Sequence, residues 1–377
     1  MDRFGIYIHI PFCKKKCKYC DFVSFFCDAE NMRIYFESLI NEIQNKKVED
    51  KLVTTIYIGG GTPSFPESKY IVQVLDCIKQ KFKISDDVEI TIEINPGTIT
   101  KQKLLDYKNA GVNRVSIGLQ STEDRLLNLI GRIHNYNKFL YTYQLVKEMK
   151  FDNINIDLML ALPTQTNEEL IDSLNKVIEL SPNHISIYSL IVEGGTALEK
   201  MIESGEVSLQ DENVERNMYW ETKNILEKNG YNHYEISNFA KSGFESKHNL
   251  DCWNQEEYIG YGLAAHSYIN NKRFSNTDNF EEYIENIKNN EIDKNIIVHE
   301  QQSREEKAKE FMMIGLRKLD GISISEFEKR FRINPLFYFR FEINKLVEEE
   351  LIEVDLDNIK LTKRGLDLAN KVFEEFI

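Results

Sequence analysis

Apolar positions along the chain recur with two periods that take turns. Short runs rich in Ile, Val, Tyr and Thr, namely "GIYIHI" (5–10), "TTIYIGG" (54–60), "EITIEIN" (89–95), "RVSIGLQ" (114–120), "NINIDLML" (153–160) and "HISIYSL" (184–190), are separated by longer segments such as "NMRIYFESLINEIQNK" (31–46) and "NEELIDSLNKVIEL" (167–180). In the longer segments the apolar residues fall three and four positions apart, which is the stripe of an amphipathic helix. The short runs are nearly continuous in apolar residues, as strands buried on both faces are. The alternation predicts six βα units, a parallel sheet and an α/β fold.

After residue 191 the repeat fades. A helix is predicted near 211–229, a strand-like "YNHYEIS" follows, and a Gly- and Asn-rich stretch runs to about 280. The charged, Asn-rich "ENIKNNEIDKN" reads as a boundary, dividing the chain into 1–290 and 291–377. Beyond it, "SREEKAKEFMMIGLRKL", "SISEFEKRF", "FRFEINKLVEEELIEV" and "RGLDLANKVFEEFI" predict a small, mainly helical domain with a two-stranded wing. A winged-helix pattern invites comparison with DNA-binding domains, but this one is rich in Glu and has no basic recognition face. It is expected to serve as a lid or docking domain.

Charge narrows the choice of partner. A formal charge of −14 over 377 residues and a pI near 5.2 argue against a nucleic-acid surface, since phosphate binding needs a positive face. The N-terminus "MDRFGIYIHIPF" has no signal-peptide pattern, and no apolar run approaches the roughly 18 residues of a membrane span. A cytoplasmic protein is expected. In such a reducing compartment the clustering of Cys13, Cys17 and Cys20 points to metal or redox chemistry, with Cys27, Cys77 and Cys252 set apart.

Polar residues gather where the predicted strands end. Strand one runs into the three cysteines, strand two into "GGGTP" (59–63), strand three carries Glu93, strand four ends at Gln120 and Ser121, strand five carries Asp157, and strand six ends near Ser189. In barrels of parallel strands this rim is where sites are built. The C-x3-C-x2-C spacing supplies three thiolates. They could hold a structural zinc completed by His9 or Cys27, or a 4Fe-4S cluster with one iron left open to a substrate. The glycine-rich rim beside the thiols favours the cluster, because Gly59–Gly61 lets a ligand approach backbone amides. Glu93, Gln120, Arg132 and Asp157 could between them hold an amino group, ribose hydroxyls and a carboxylate.

Taken in order, "YIHIPFCKKKCKYCDF", "GGGTPS", "EINPGT", "NRVSIGLQS", "GRIHN", "NIDLMLALPTQT" and "HISIYSLIVEGGT" resemble the radical S-adenosylmethionine (SAM) proteins of the oxygen-independent coproporphyrinogen III oxidase group, over residues 5 to about 270. The resemblance implies a partial (β/α)6, TIM-like barrel in which Cys13, Cys17 and Cys20 hold a 4Fe-4S cluster. Its open iron would chelate SAM, which one electron splits into methionine and a 5′-deoxyadenosyl radical. It also implies SAM contacts at Tyr7, Tyr19, Gly60, Gly61, Thr62, Glu93, Gln120, Arg132, Asp157 and Ile191.

Within that group the sequence is more similar to the haem-chaperone branch than to the oxidases. Six residues precede Tyr7, "CDF" follows where the oxidases have a further Cys, and "HNLDCW" (248–253) resembles a His-Asn-x-x-Tyr-Trp haem motif with Cys252 in place of Tyr. That branch implies haem as cargo, with His248 the candidate contact, His266 a second, and no catalytic residue. Haem-accepting proteins and an electron donor such as flavodoxin or ferredoxin are the implied partners. A monomer or homodimer is expected, without a membrane span and free to associate peripherally. The alternative is an oxidase that decarboxylates coproporphyrinogen III to protoporphyrinogen IX.

Overall fold

The computed structural model describes residues 3–377. The six runs form strands β1 (Phe4–Ile10), β2 (Leu52–Gly60), β3 (Lys83–Ile94), β4 (Arg114–Gln120), β5 (Asn153–Leu160) and β6 (His184–Ser189), paired in parallel in chain order. Their Ile-rich interiors are buried, from Ile6, Ile8 and Ile10 through Ile56, Ile92, Ile117 and Ile156 to Ile185. One apolar cluster joins these strands to the helices between them. The helix Asn167–Leu180 shows the local logic: Thr166 caps it by accepting from the Glu169 N–H, while the Glu169 side chain accepts from the Thr166 N–H.

The sheet does not stop at six strands. Its order is β12-β11-β10-β9-β1-β2-β3-β4-β5-β6-β8-β7, with β7 (Asn232–Glu235), β8 (Asn238–Ala240), β9 (Glu257–Tyr261), β10 (His266–Ile269), β11 (Lys272–Asn276) and β12 (Ile296–Gln301). Strand β9 lies parallel to β1, whereas β10 to β12 and β7 to β8 add antiparallel edges. Because β1 and β6 are not neighbours, the six-stranded core curves into an open, partial barrel. The Gly- and Asn-rich stretch after residue 240, for which the sequence predicted no elements, thus supplies three strands of this sheet, β9 to β11, and the helix Lys247–Trp253.

This extension is fastened by a buried charge network. Glu42, on the helix Ala29–Asn45, accepts from Lys46 Nζ (3.0 Å), Asn276 Nδ2 (2.7 Å), the Gly262 N–H (2.8 Å) and the Tyr283 hydroxyl (2.8 Å). A buried carboxylate with every lone pair occupied fixes register where short polar strands cannot.

Strand β12 pairs with β11 through Gln301, so the large sheet reaches past the charged segment at 285–295. A second apolar core then gathers from Ala308 onward, built on Phe311, Leu316, Phe327, Phe331 and Phe373. It comprises helices and a small antiparallel sheet of β13 (Ile322–Ser323), β14 (Ile352–Val354) and β15 (Asn358–Leu361). Among the described residues no helix is long and apolar enough to cross a membrane.

Candidate functional site

The C-terminal ends of the six central strands open on one cavity of about 660 Å³. Cys13, Cys17 and Cys20 line it, as do Tyr19, Gly60, Gly61, Thr62, Glu93, Gln120, Arg132, Asp157 and Ile191. Three sequence-predicted residues, Tyr7, His248 and His266, do not.

The cysteine loop is held from both sides. Cys13 N–H donates to Phe25 O (2.9 Å), Lys18 N–H donates to Ile130 O (3.0 Å), and Leu198 N–H donates to Lys18 O (2.8 Å). The Cys13 thiol lies 3.3 Å from Thr62 Oγ1, which brings the first cysteine against the glycine-rich turn. That turn needs its glycines. Gly60 has φ +109° and a Cβ there would come within 2.6 Å of the His9 ring; at Gly61 a Cβ would stand 3.0 Å from Ile10 O and 3.1 Å from Cys13 Sγ. Burial pushes the Cys13 and Cys20 thiols up, while Thr62 and Arg132 act on Cys13 in the opposite sense.

The donor set suits a cluster better than a single ion. Among the described residues no three His, Cys, Asp or Glu side chains are close enough together to hold one metal ion. The two residues that could complete a zinc tetrahedron are engaged elsewhere: His9 Nε2 lies 2.9 Å from Val23 O, and Cys27 belongs to the apolar core. Three thiols lining one cavity, next to the Gly61 cradle, match the three thiolates that leave one iron of a 4Fe-4S cluster open.

Arg132 stands beside these thiols. Its guanidinium donates to Gly118 O (2.6 Å) and Asn95 Oδ1 (2.8 Å), and lies 3.6 Å from Cys17 Sγ. Across the cavity, Asp157 accepts from Asn155 Nδ2 (2.7 Å) and Ser116 Oγ (3.0 Å), an arrangement that fixes the carboxyl although burial raises its pKa. Gln120, at the end of β4, has φ +74°, a strained backbone at a position facing the cavity. Glu93 accepts from the Tyr57 hydroxyl at 2.8 Å. Its depth in the protein pushes its pKa up to about 7; the Tyr57 hydrogen bond opposes that shift and Asp157 adds to it.

Tyr57 is the residue that sequence reasoning missed. It lines the cavity and forms the middle of an aromatic column, with Tyr7 stacked on one side (centroids 6.4 Å) and His248 on the other (5.2 Å). The signal was available in β-strand parity: Tyr7 and Tyr57 are register partners on β1 and β2. Tyr7, expected to touch SAM, is partly exposed beside Tyr57, with its hydroxyl 3.0 Å from His9 Nδ1.

His248, expected to contact haem, is behind the cavity wall. It is buried, its Nδ1 lies 2.9 Å from Thr55 Oγ1, and burial, then Arg114, lowers its pKa to about 4. The helix that carries it, Lys247–Trp253, is pinned at its start by Glu89, which accepts from the Lys247 and His248 N–H groups at 3.2 Å. An axial role for His248 therefore requires that helix to move. Asn249 and Trp253 of the same helix do line the cavity. Cys252 does not, and burial pushes its thiol up to about 12. His266 sits on β10, between β9 and β11, stacked on His299 at 5.3 Å.

The C-terminal domain also lines the cavity: Arg317, Ala369, Asn370 and Phe373 lie on it together with Tyr219, Glu235 and Trp253.

The chain matches the family model of the radical SAM superfamily over residues 7–177 and that of the HemN C-terminal domain over residues 302–368. It is 37% identical over 377 residues to a heme chaperone HemW of Bacillus subtilis, covering 98% of each chain. To a heme chaperone HemW of Lactococcus lactis it is 36% identical over 372 residues, covering 98% of this chain and 96% of that one. Among solved structures it superposes on the coproporphyrinogen III oxidase (HemN) of Escherichia coli with a TM-score of 0.87, covering 100% of this chain and 90% of that one. At 22% identity that likeness speaks for the fold.

Proposed function

Because the chain belongs to the heme chaperone HemW family of radical SAM proteins, we propose that it binds haem and delivers it to acceptor proteins, carrying a 4Fe-4S cluster and SAM. The observation that supports this most is a single cavity with two chemically different ends, three thiols at one and an aromatic wall shared with the C-terminal domain at the other. Its volume is in the range of small-molecule and cofactor sites.

The residues divide the work. Cys13, Cys17 and Cys20 would hold the cluster, and the Gly60–Thr62 turn would admit SAM to the backbone. Glu93, once ionised, would accept from the amino group of SAM, while Gln120 and Asp157 would accept from its hydroxyls. Arg132 places a positive charge beside Cys17. Bound together, the cluster and SAM supply one-electron chemistry at this end of the cavity. Tyr188, Tyr219 and Trp253 line the other end, where a flat apolar macrocycle could lie.

The acidic balance of the chain fits protein and small-molecule partners, and a flavodoxin- or ferredoxin-type donor is the natural source of the electron. The test is anaerobic reconstitution followed by two assays on one sample. We expect about one haem bound per chain and no conversion of coproporphyrinogen III in the presence of SAM and reductant. Sustained formation of protoporphyrinogen IX would replace the chaperone reading with the oxidase one.

A further inference from the structure

We propose that Arg317 is a carboxylate-binding residue of the cavity, the anchor by which the C-terminal domain grips an acid side chain of the tetrapyrrole cargo. The inference rests on the haem-carrying role proposed above and adds to it the residue and the ligand group.

Three cations line the cavity. Lys15 and Arg132 belong to the thiol end, and Arg132 is committed to Asn95, Gly118 and Cys17. Arg317, just beyond the helix Arg304–Gly315, is the cation of the other end. What surrounds it is unusual for a half-buried arginine. Its guanidinium lies over the Trp253 ring at 4.5 Å and near the Phe373 ring at 6.0 Å, and its Nε has no hydrogen-bond partner among the described residues. Glu235, the acid that lines the same end, accepts from Asn238 Nδ2 and from the Ser237 N–H (3.2 Å); burial raises its pKa and the nearby Arg317 opposes that shift, but no ion pair joins the two among the described residues.

Ring faces stabilise a guanidinium and leave its in-plane N–H edge free. That edge is the fork that recognises a planar carboxylate with two parallel hydrogen bonds. Asn370 lines the same wall and offers a further polar side chain. Trp253, on the barrel side, lines the cavity with Arg317 against its ring. A ligand with an apolar body and an ionised carboxylate tail matches this succession of ring and charge. Because Arg317 belongs to the C-terminal domain while Trp253, Tyr57 and Tyr188 belong to the barrel, such a ligand would bridge the two.

The test compares ferric haem with haem dimethyl ester, whose carboxylates are blocked, on the reconstituted full-length protein. The wild type should bind haem roughly tenfold more tightly than the ester, as a charge-assisted bidentate pair implies. Arg317→Met should lose about that factor for haem, leave ester binding unchanged, and so bring the ratio near one. Arg317→Gln also removes the charge and decides the matter if Arg317→Met does not fold. A haem-to-ester ratio equal to the wild-type value in a folded, charge-removed variant overturns the assignment of Arg317 while haem carriage stands. Failure of the wild type to bind either compound overturns haem carriage and, with it, this inference.

Discussion

Replacing Glu93 by Gln tests the SAM site through a single proton. In the protein without ligand, burial and then Asp157 hold the Glu93 carboxyl at a pKa of about 7 against the pull of the Tyr57 hydrogen bond. Arg114 on β4 also acts on it, in the lowering direction. An amino N–H placed beside Glu93 favours the ionised carboxylate, so binding must expel the Glu93 proton wherever the free site still holds it. The sign follows: this contribution to affinity rises with pH until the free carboxyl is ionised. At pH 6 about nine-tenths of the sites are protonated, and at pH 7 about half are, so Glu93 by itself should make SAM bind about fivefold more tightly at pH 7 than at pH 6. An amino group that chelates iron does so as the free amine and releases a proton of its own, a contribution that the wild type and Glu93→Gln share. Calorimetric titration of SAM into reconstituted protein, in two buffers with different heats of ionisation, measures both quantities, and the wild type should release about 0.9 protons more per SAM at pH 6 than Glu93→Gln does. Glu93→Gln should bind more weakly at pH 7 and gain about fivefold less affinity than the wild type between the two pH values. If the variant keeps the wild-type slope, the proton belongs to another group and Glu93 does not meet the amino group.

Three further outcomes are expected. Replacing Cys13, Cys17 and Cys20 together by Ala should abolish the broad visible absorption of the reconstituted cluster, and retention of iron and sulfide by that variant would remove the thiols from the site. His248→Ala should leave the visible spectrum of bound haem unchanged while lowering stability by about 1–3 kcal/mol, since it leaves the buried Thr55 hydroxyl without its partner and uncovers one face of Tyr57. A shifted haem spectrum in that variant would show that the helix Lys247–Trp253 moves to present His248 to the iron. Glu42→Ala should cost about 3–5 kcal/mol, read as a lowered midpoint of thermal unfolding, because it strands the buried Lys46 charge and unties the sheet extension; a midpoint within a degree of the wild type would contradict the role given to that network.

The six central strands were legible because strands covered on both faces must be apolar throughout, and the amphipathic segments between them could only be crossover helices. The runs at 114–120 and 153–160 form strands with those same limits. Strand β3 begins earlier than its apolar part, at Lys83, because its exposed, charged first half pairs with β2 all the same. The region after residue 240 was not legible for a physical reason. Its strands are short, partly polar and held by partners remote in sequence: β9 pairs with β1, and Asn276 and Gly262 reach Glu42. Nothing in a local pattern announces such pairing.

The candidate site divides in the same way. Cys13, Gly61 and Thr62 sit together because a short motif carries its own geometry, and the structure brings Glu93, Gln120, Arg132 and Asp157 to the same cavity from four other places in the chain. Tyr57 escaped because an aromatic in a strand reads as core. Arg317 escaped because its role depends on two rings, Trp253 and Phe373, that only the packing of the two domains brings to it. His248 shows the converse, a motif residue whose neighbours Thr55, Tyr57 and Glu89 hold it behind the wall.

The central claim is that this chain hands haem to another protein, and handover is what should be measured. Haem-loaded, reconstituted protein is mixed with an apo-form haem protein, and the acceptor's absorption spectrum is followed with and without an apo-scavenger that captures free haem. The account predicts that haem passes to the acceptor even when the scavenger is present in excess. Haem that reaches only the scavenger, or a preparation that instead converts coproporphyrinogen III to protoporphyrinogen IX, would contradict it.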